Sequence, residues 1–170
     1  MNVMEAIRLK RAVRKFQETP LPDDVVYTIL NAGRRSQSSK NTQTWQFIAI
    51  RDKEILKALS QCGEWASHIA GAALCVAILT PDPEGKFQVM FDAGQAAAFM
   101  QLAAWELGVG SVPASLYEFD KTREILKFPA EWHLRIALSF GYPQQEEKLS
   151  APPKKGGRAA FEDVVHWEKW

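Results

Sequence analysis

The sequence predicts an α+β fold (mixed α/β), with a central sheet of four to five strands flanked by helices. Two observations carry this expectation. Segments with helical spacing of apolar residues alternate along the chain with short strand-like runs. One of those runs, "AALCVAIL", is apolar without interruption, as expected at the centre of a sheet covered by other elements.

The elements follow in order. "NVMEAIRLK" places Val3, Met4, Ile7 and Leu9 among charged positions, the spacing of a short amphipathic helix. Pro20 and Pro22 break the chain after "RAVRKF", and Asp23 or Asp24 is placed to cap a second helix. Val25, Val26, Ile29 and Leu30 form its apolar stripe, which ends near Gly33. "RRSQSSKNTQT" is a polar loop. "WQFIAI" reads as a strand and "DKEILKALSQ" as a helix capped by Asp52. After "AALCVAIL", the "TPDPEG" break leads to a long helix from about Lys86 to Leu107. Its middle, "DAGQAAAFMQLAAWEL", is small or apolar on nearly all sides, and such a helix is buried, here in part against a second subunit. "GVGSVPAS" is a turn and short strand, with "GVG" as the helix stop. "DKTREILKF" is a helix, and "HLRIALSFGYP" is a strand stopped by Gly141 and Pro143. Residues 144–170 form an extended, semi-apolar tail with few internal partners, expected to lie on that second subunit.

Composition narrows the function. The chain has 170 residues, of which 46% are hydrophobic and 24% charged, and its net charge is +1. That suits a single domain over residues 1–170 and argues against a nucleic-acid binder, which is normally basic. No apolar run approaches the roughly 20 residues that cross a bilayer, so no membrane is expected. Cys62 and Cys75 make no disulfide framework, and a reducing cytoplasm is the expected compartment. His68, His133 and His166 lie too far apart for metal-ligand spacing, so no metal is expected. Neither cysteine has a nearby base, and the Glu146–Glu147 pair reads as a solvated loop.

Three polar elements stand out. "RLKRAVRKF" gathers five cations in nine residues, suited to a phosphate dianion or, more blandly, to a solvated helix C-terminus. "SQSSKNTQTW" offers hydroxyls and amides that suit a polar heterocycle or an ordinary turn. "KKGGR", Lys154 to Arg158, combines cations with glycines that allow close backbone approach to an anion, or forms a flexible basic tail.

In this order the elements resemble the nitroreductase family of flavin mononucleotide (FMN) enzymes. "KRAVRKF" is similar to that family's R-R-S-x-R-x-F element, and "QSSKNTQTW" to its P-S-x-x-N-x-Q-P-W loop. "DAGQAAAFMQLAAWELGVGSVPAS" resembles its buried dimer helix and L-G-x-x-S turn, and "GGRAAFEDVVHW" its G-R-K-P-L-E-E-V-V-H tail. The resemblance implies that Lys10, Arg11 and Ala12 hold the phosphate and ribityl chain, with Arg14 at the N1/O2 edge of the ring. It implies flavin contacts from Gln37, Ser38, Ser39, Asn41 and Gln43, partly across the subunit interface. Pro113, Ala114, Ser115 and Leu116 would lie beside N5, and Gly157 and Arg158 at the phosphate.

The implied activity is a homodimeric oxidoreductase passing hydride from NADH or NADPH through flavin N5 to a small-molecule electron acceptor, a nitroaromatic or quinone, in ping-pong fashion. No side chain of the protein is implied as catalytic acid or base. A same-fold flavoprotein with another task, reductive dehalogenation or flavin cleavage, is the alternative, followed by a non-catalytic flavin-binding dimer. The chain departs from the pattern at several points. Lys10 replaces an arginine, Ala12 lacks a hydroxyl, Thr44 stands for proline, "AAF" replaces "KPL", and "EWASHIAGA" has no lysine. Phosphate binding is therefore expected to lean on Arg11 and Arg158.

Overall fold

The computed structural model describes residues 2–145 and 157–170 of the protein. In chain order these hold α1 (Val3–Leu9), α2 (Asp23–Arg34), β1 (Gln46–Ile50), α3 (Lys53–Leu59), β2 (Leu74–Thr80), α4 (Phe87–Glu106), β3 (Gly110–Ser115), α5 (Phe119–Leu126), β4 (His133–Gly141) and α6 (Phe161–Val164). Single 3₁₀ turns occupy Ser39–Asn41 and Ser67–Gly71.

The strands form one sheet in the order β1-β2-β4-β3, antiparallel throughout. The apolar run becomes β2, an inner strand buried at all seven positions. Its side chains alternate between two cores. Leu74, Val76 and Ile78 pack with Val26 and Ile29 of α2 and with Ala96, Met100 and Ala104 of α4. Cys75, Ala77 and Leu79 pack with Leu56 and Leu59 of α3, Ile69, and Ala114. Cover on both faces is the physical reason for a continuous apolar run where a one-faced strand would alternate.

One local expectation changes. Asp23 and Asp24 do not cap α2: the N-cap is Pro22, without a side-chain hydrogen bond. Proline fixes an extended approach, and both aspartates lie in the first turn, where their charge suits the helix dipole. Asp23 instead pairs with Arg51 at 2.7 Å. The α4 helix buries one face within the single chain. Val89, Asp92, Ala93, Ala96, Met100, Ala104 and Trp105 are buried, whereas Phe87, Phe91 and Phe99 stand exposed on the single chain. Asp52 does cap α3, accepting from the N–H groups of Glu54 and Ile55. Gly108 stops α4 with a left-handed φ of 73°.

The segment after α1 is stitched to the far edge of the sheet. Val13 N–H donates to Ser111 O at 3.1 Å, Gln17 N–H to Tyr142 O at 2.8 Å and Gln144 N–H to Lys15 O at 3.0 Å. Val13 and Phe16 are buried in a third core with Ala6, Trp105 and Val112, which leaves Ala12, Arg14 and Lys15 facing out. This approach needs Gly110. A Cβ there would sit 2.7 Å from both Cβ and Cγ2 of Val13. Val13 is β-branched and has little freedom to turn away, so Gly110→Ala should cost about 1–3 kcal/mol, as overpacking does. A thermal melt checks this; an unchanged melting temperature would show that the segment shifts freely.

Candidate functional site

Lys10 closes α1, its N–H donating to Ala6 O at 2.8 Å. Here Lys10 and Arg11 are half-buried, whereas Arg8 is exposed. Arg8, Lys10, Arg11 and Ala12 line an open cleft of about 500 Å³ together with Gly157 and Arg158. Four of these six residues are cations and none is an acid. Burial pushes the Lys10 ammonium below the ordinary lysine range, and the Arg158 guanidinium adds to the shift. Mutual repulsion in a half-buried cleft is relieved by an anion. Among the residues brought together from both ends of the chain, Arg8 is one the sequence reading left outside the site.

Arg14 is exposed, and burial, followed by the Arg14 charge, holds the His68 imidazole below its ordinary pKa. His68 is itself buried in the Ser67–Gly71 turn and shares a 2.9 Å hydrogen bond between its Nδ1 and Ser139 Oγ on β4.

The polar loop is pinned to α4. Ser39 N–H donates to Asp92 Oδ2 at 2.9 Å, and Gln37 Nε2 to Gln95 Oε1 at 2.9 Å. Within the loop, Gln43 N–H donates to Ser38 Oγ at 3.0 Å, and Lys40, Asn41 and Gln43 all have left-handed backbone. Gln43 also lines a separate cavity of about 470 Å³ with Tyr27, Arg34, Trp45 and Phe47. On β3, Pro113 and Ser115 are exposed while Ala114 is buried, and Leu116 just beyond the strand is buried too. Any contact made by Ala114 or Leu116 with a ligand on the open side is therefore a backbone contact. Lys154, Lys155, Glu146 and Glu147 lie outside the described residues.

The family model for the nitroreductases matches residues 7–65 and 61–142. The chain belongs to the nitroreductase family. A protein of Methanothermobacter thermautotrophicus, provisionally named an NADH dehydrogenase/NAD(P)H nitroreductase, is 25% identical over 177 residues, covering 100% of this chain and 88% of the relative. The NADPH-flavin oxidoreductase of Vibrio harveyi is 26% identical, covering 87% of this chain and 68% of that protein. Among solved structures, an FMN-dependent nitroreductase of Clostridium difficile R20291 superposes with a TM-score of 0.85 at 28% identity, covering 99% of this chain and 100% of that one.

The fold of this nitroreductase-family protein also makes polar pairings that its motifs did not announce. Asp92, Gln95, His68 and Ser139 sit 53 or more residues from their partners or within an apolar stretch, so only the fold reveals the pairings. Both cysteines are free and buried, and burial pushes the Cys75 thiol up to about 12. Among the described residues no group of three His, Cys, Asp or Glu side chains gathers as metal ligands, and no helix is long and apolar enough to cross a membrane.

Proposed function

We propose that this protein is an FMN-dependent NAD(P)H oxidoreductase that reduces a nitroaromatic, quinone or similar small acceptor. Membership of the nitroreductase family makes it an NAD(P)H-dependent oxidoreductase. The observation that carries the finer proposal is the cleft whose described lining holds four cations and no acid, where burial, and after it Arg158, disfavours the charged form of Lys10. A phosphate monoester is an anion suited to this lining, since guanidinium forks bind phosphate oxygens well.

Bound FMN would supply two-electron chemistry between a nicotinamide and the acceptor. The protein supplies the rest. Lys10, Arg11, Ala12, Gly157 and Arg158 would hold the phosphate and ribityl end. Arg14 would place a fixed positive charge at the N1/O2 edge of the ring, where preorganised charge is most useful. Gln37, Ser38, Ser39, Asn41 and Gln43 would meet the polar ring edge, in part from the second protomer of a homodimer. Residues 113–116 would flank N5. NADH or NADPH and the acceptor would use the same place in turn, hence ping-pong kinetics. We place the protein in the reducing cytoplasm, as one domain over residues 1–170 whose 144–170 tail, in part outside the described residues, is the segment proposed to lie on the partner.

The test is an absorbance spectrum of the purified protein followed by turnover with NADH or NADPH and a quinone. A bound-flavin band and parallel double-reciprocal lines are expected. A colourless protein that also fails to quench added FMN would overturn the proposal. Arg14→Gln should lower the two-electron potential by some tens of millivolts, since 30 mV corresponds to about 1.4 kcal/mol. An unchanged potential with a large loss of affinity would move Arg14 to the phosphate.

A further inference from the structure

Asp92 is a carboxylate on the second turn of an apolar helix, and only 3% of its surface is exposed. A buried acid must be matched by donors. Among the described residues its donors are two: Ser39 N–H at 2.9 Å on Oδ2, and Gln95 Nε2 at 3.5 Å near Oδ1. Gln95 lies one turn further along the same helix face, where i and i+3 meet, and its Oε1 accepts from Gln37 Nε2. One turn of α4 thus grips the loop at two points, Gln37 and Ser39. Beyond that grip come Lys40, Asn41 and Gln43, with φ of 50°, 55° and 49°. Left-handed backbone at non-glycine residues persists only where the surroundings enforce it.

We propose that Asp92 is a positioning residue, its buried carboxylate setting the shape in which the Ser38–Gln43 loop meets the flavin ring. The proposal rests on the flavin reading above. Asp92 touches no reacting atom. It acts through the Ser39 amide, and through Gln95 on Gln37, so the same helix turn fixes both the entry to the loop and its polar face.

The test uses full-length Asp92→Ala and Asp92→Asn, with two measurements. Hydrogen exchange of the Ser39 amide in flavin-free protein reads the loop directly. Fluorescence titration with FMN and with riboflavin, well below the melting temperature, reads the ring end. In Asp92→Ala the amide should exchange roughly tenfold faster or more, the loss expected for a hydrogen bond to a charged group. FMN and riboflavin should weaken by the same factor, because the phosphate cleft is untouched. Asp92→Asn keeps an acceptor oxygen and should restore most of both. Unchanged exchange in Asp92→Ala overturns the proposal. So does faster exchange with wild-type affinity for both flavins, or an Asn variant no better than Ala. If wild-type protein binds neither flavin, the flavin reading fails, while the exchange measurement still decides whether Asp92 shapes the loop. Should Asp92→Ala not fold, Gln95→Ala at its half-buried position removes the other grip. It should then weaken both flavins equally, and wild-type affinity for both would overturn the proposal.

Discussion

Arg158→Ala should weaken FMN binding by about 1.5–3 kcal/mol, the worth of a charge-assisted hydrogen bond. At about 1.4 kcal/mol per factor of ten, that is roughly ten- to a hundredfold in Kd. Riboflavin, which has no phosphate, should bind both proteins alike. The flavin-free variant should be no less stable than the wild type. Arg158 lines a cleft whose other charged residues, among those described, are the cations Arg8, Lys10 and Arg11, and after burial its charge helps to depress the Lys10 pKa. Removing it relieves repulsion.

The sign of the pH dependence follows from the same pair. A lysine whose folded pKa lies below its unfolded value of 10.5 opposes folding while it is charged in both states. Between the folded pKa and 10.5 the unfolded state binds the extra proton, so stability rises with pH across that window. Bound phosphate should flatten this slope by giving Lys10 an opposite charge. Equal loss of FMN and riboflavin in Arg158→Ala would remove Arg158 from the phosphate. Titration calorimetry with both ligands, and melts between pH 8 and about 10.5, provide the readings.

What the sequence revealed and what it hid divide along the distance between partners. The β2 run and the α4 length are legible because burial on both faces and helical spacing are written in consecutive residues. The cations are legible too, since Lys10, Arg11 and Arg14 lie within five residues. That Lys10 and Arg11 meet Arg158 is legible only through the family resemblance, because no local pattern shows the tail reaching the end of α1. The Asp92–Ser39 bond spans 53 residues and the His68–Ser139 bond spans 71. In each case a polar residue sits in an apolar context and gives no local hint of its partner. Pro22 shows the opposite failure. The sequence offered two good capping side chains at Asp23 and Asp24, and the chain starts its helix one residue earlier, drawing on proline's fixed φ.

Deleting Phe161 to Trp170 should lower both the melting temperature and flavin retention, although Arg158 stays. On the single chain this expectation makes no sense. Phe161, Trp167 and Trp170 are 59%, 77% and 100% exposed, so removing them uncovers almost nothing and would leave a monomer as stable as before. The loss is expected because α4 presents a complementary surface. Phe87 and Phe91, four residues apart on one helix face, are 76% and 67% exposed, and Val3, Met4 and Ile7 of the adjoining α1 are exposed as well. Patches beyond a few hundred Å² are uncommon on soluble monomers. At about 25 cal/mol per Å² their burial favours association, and obligate dimer interfaces commonly exceed 2,000 Å² in total. Two copies meeting through α4, each tail lying on the other, would cover both sets at once. Phe91→Glu places a charge in that contact and should dissociate the protein and release its flavin, whereas on a monomer it would only improve solubility. Sedimentation at low micromolar concentration reads the result. A stable, flavin-loaded monomer, or a truncated chain with wild-type melting and flavin content, would show that neither α4 nor the tail has a partner to bury it.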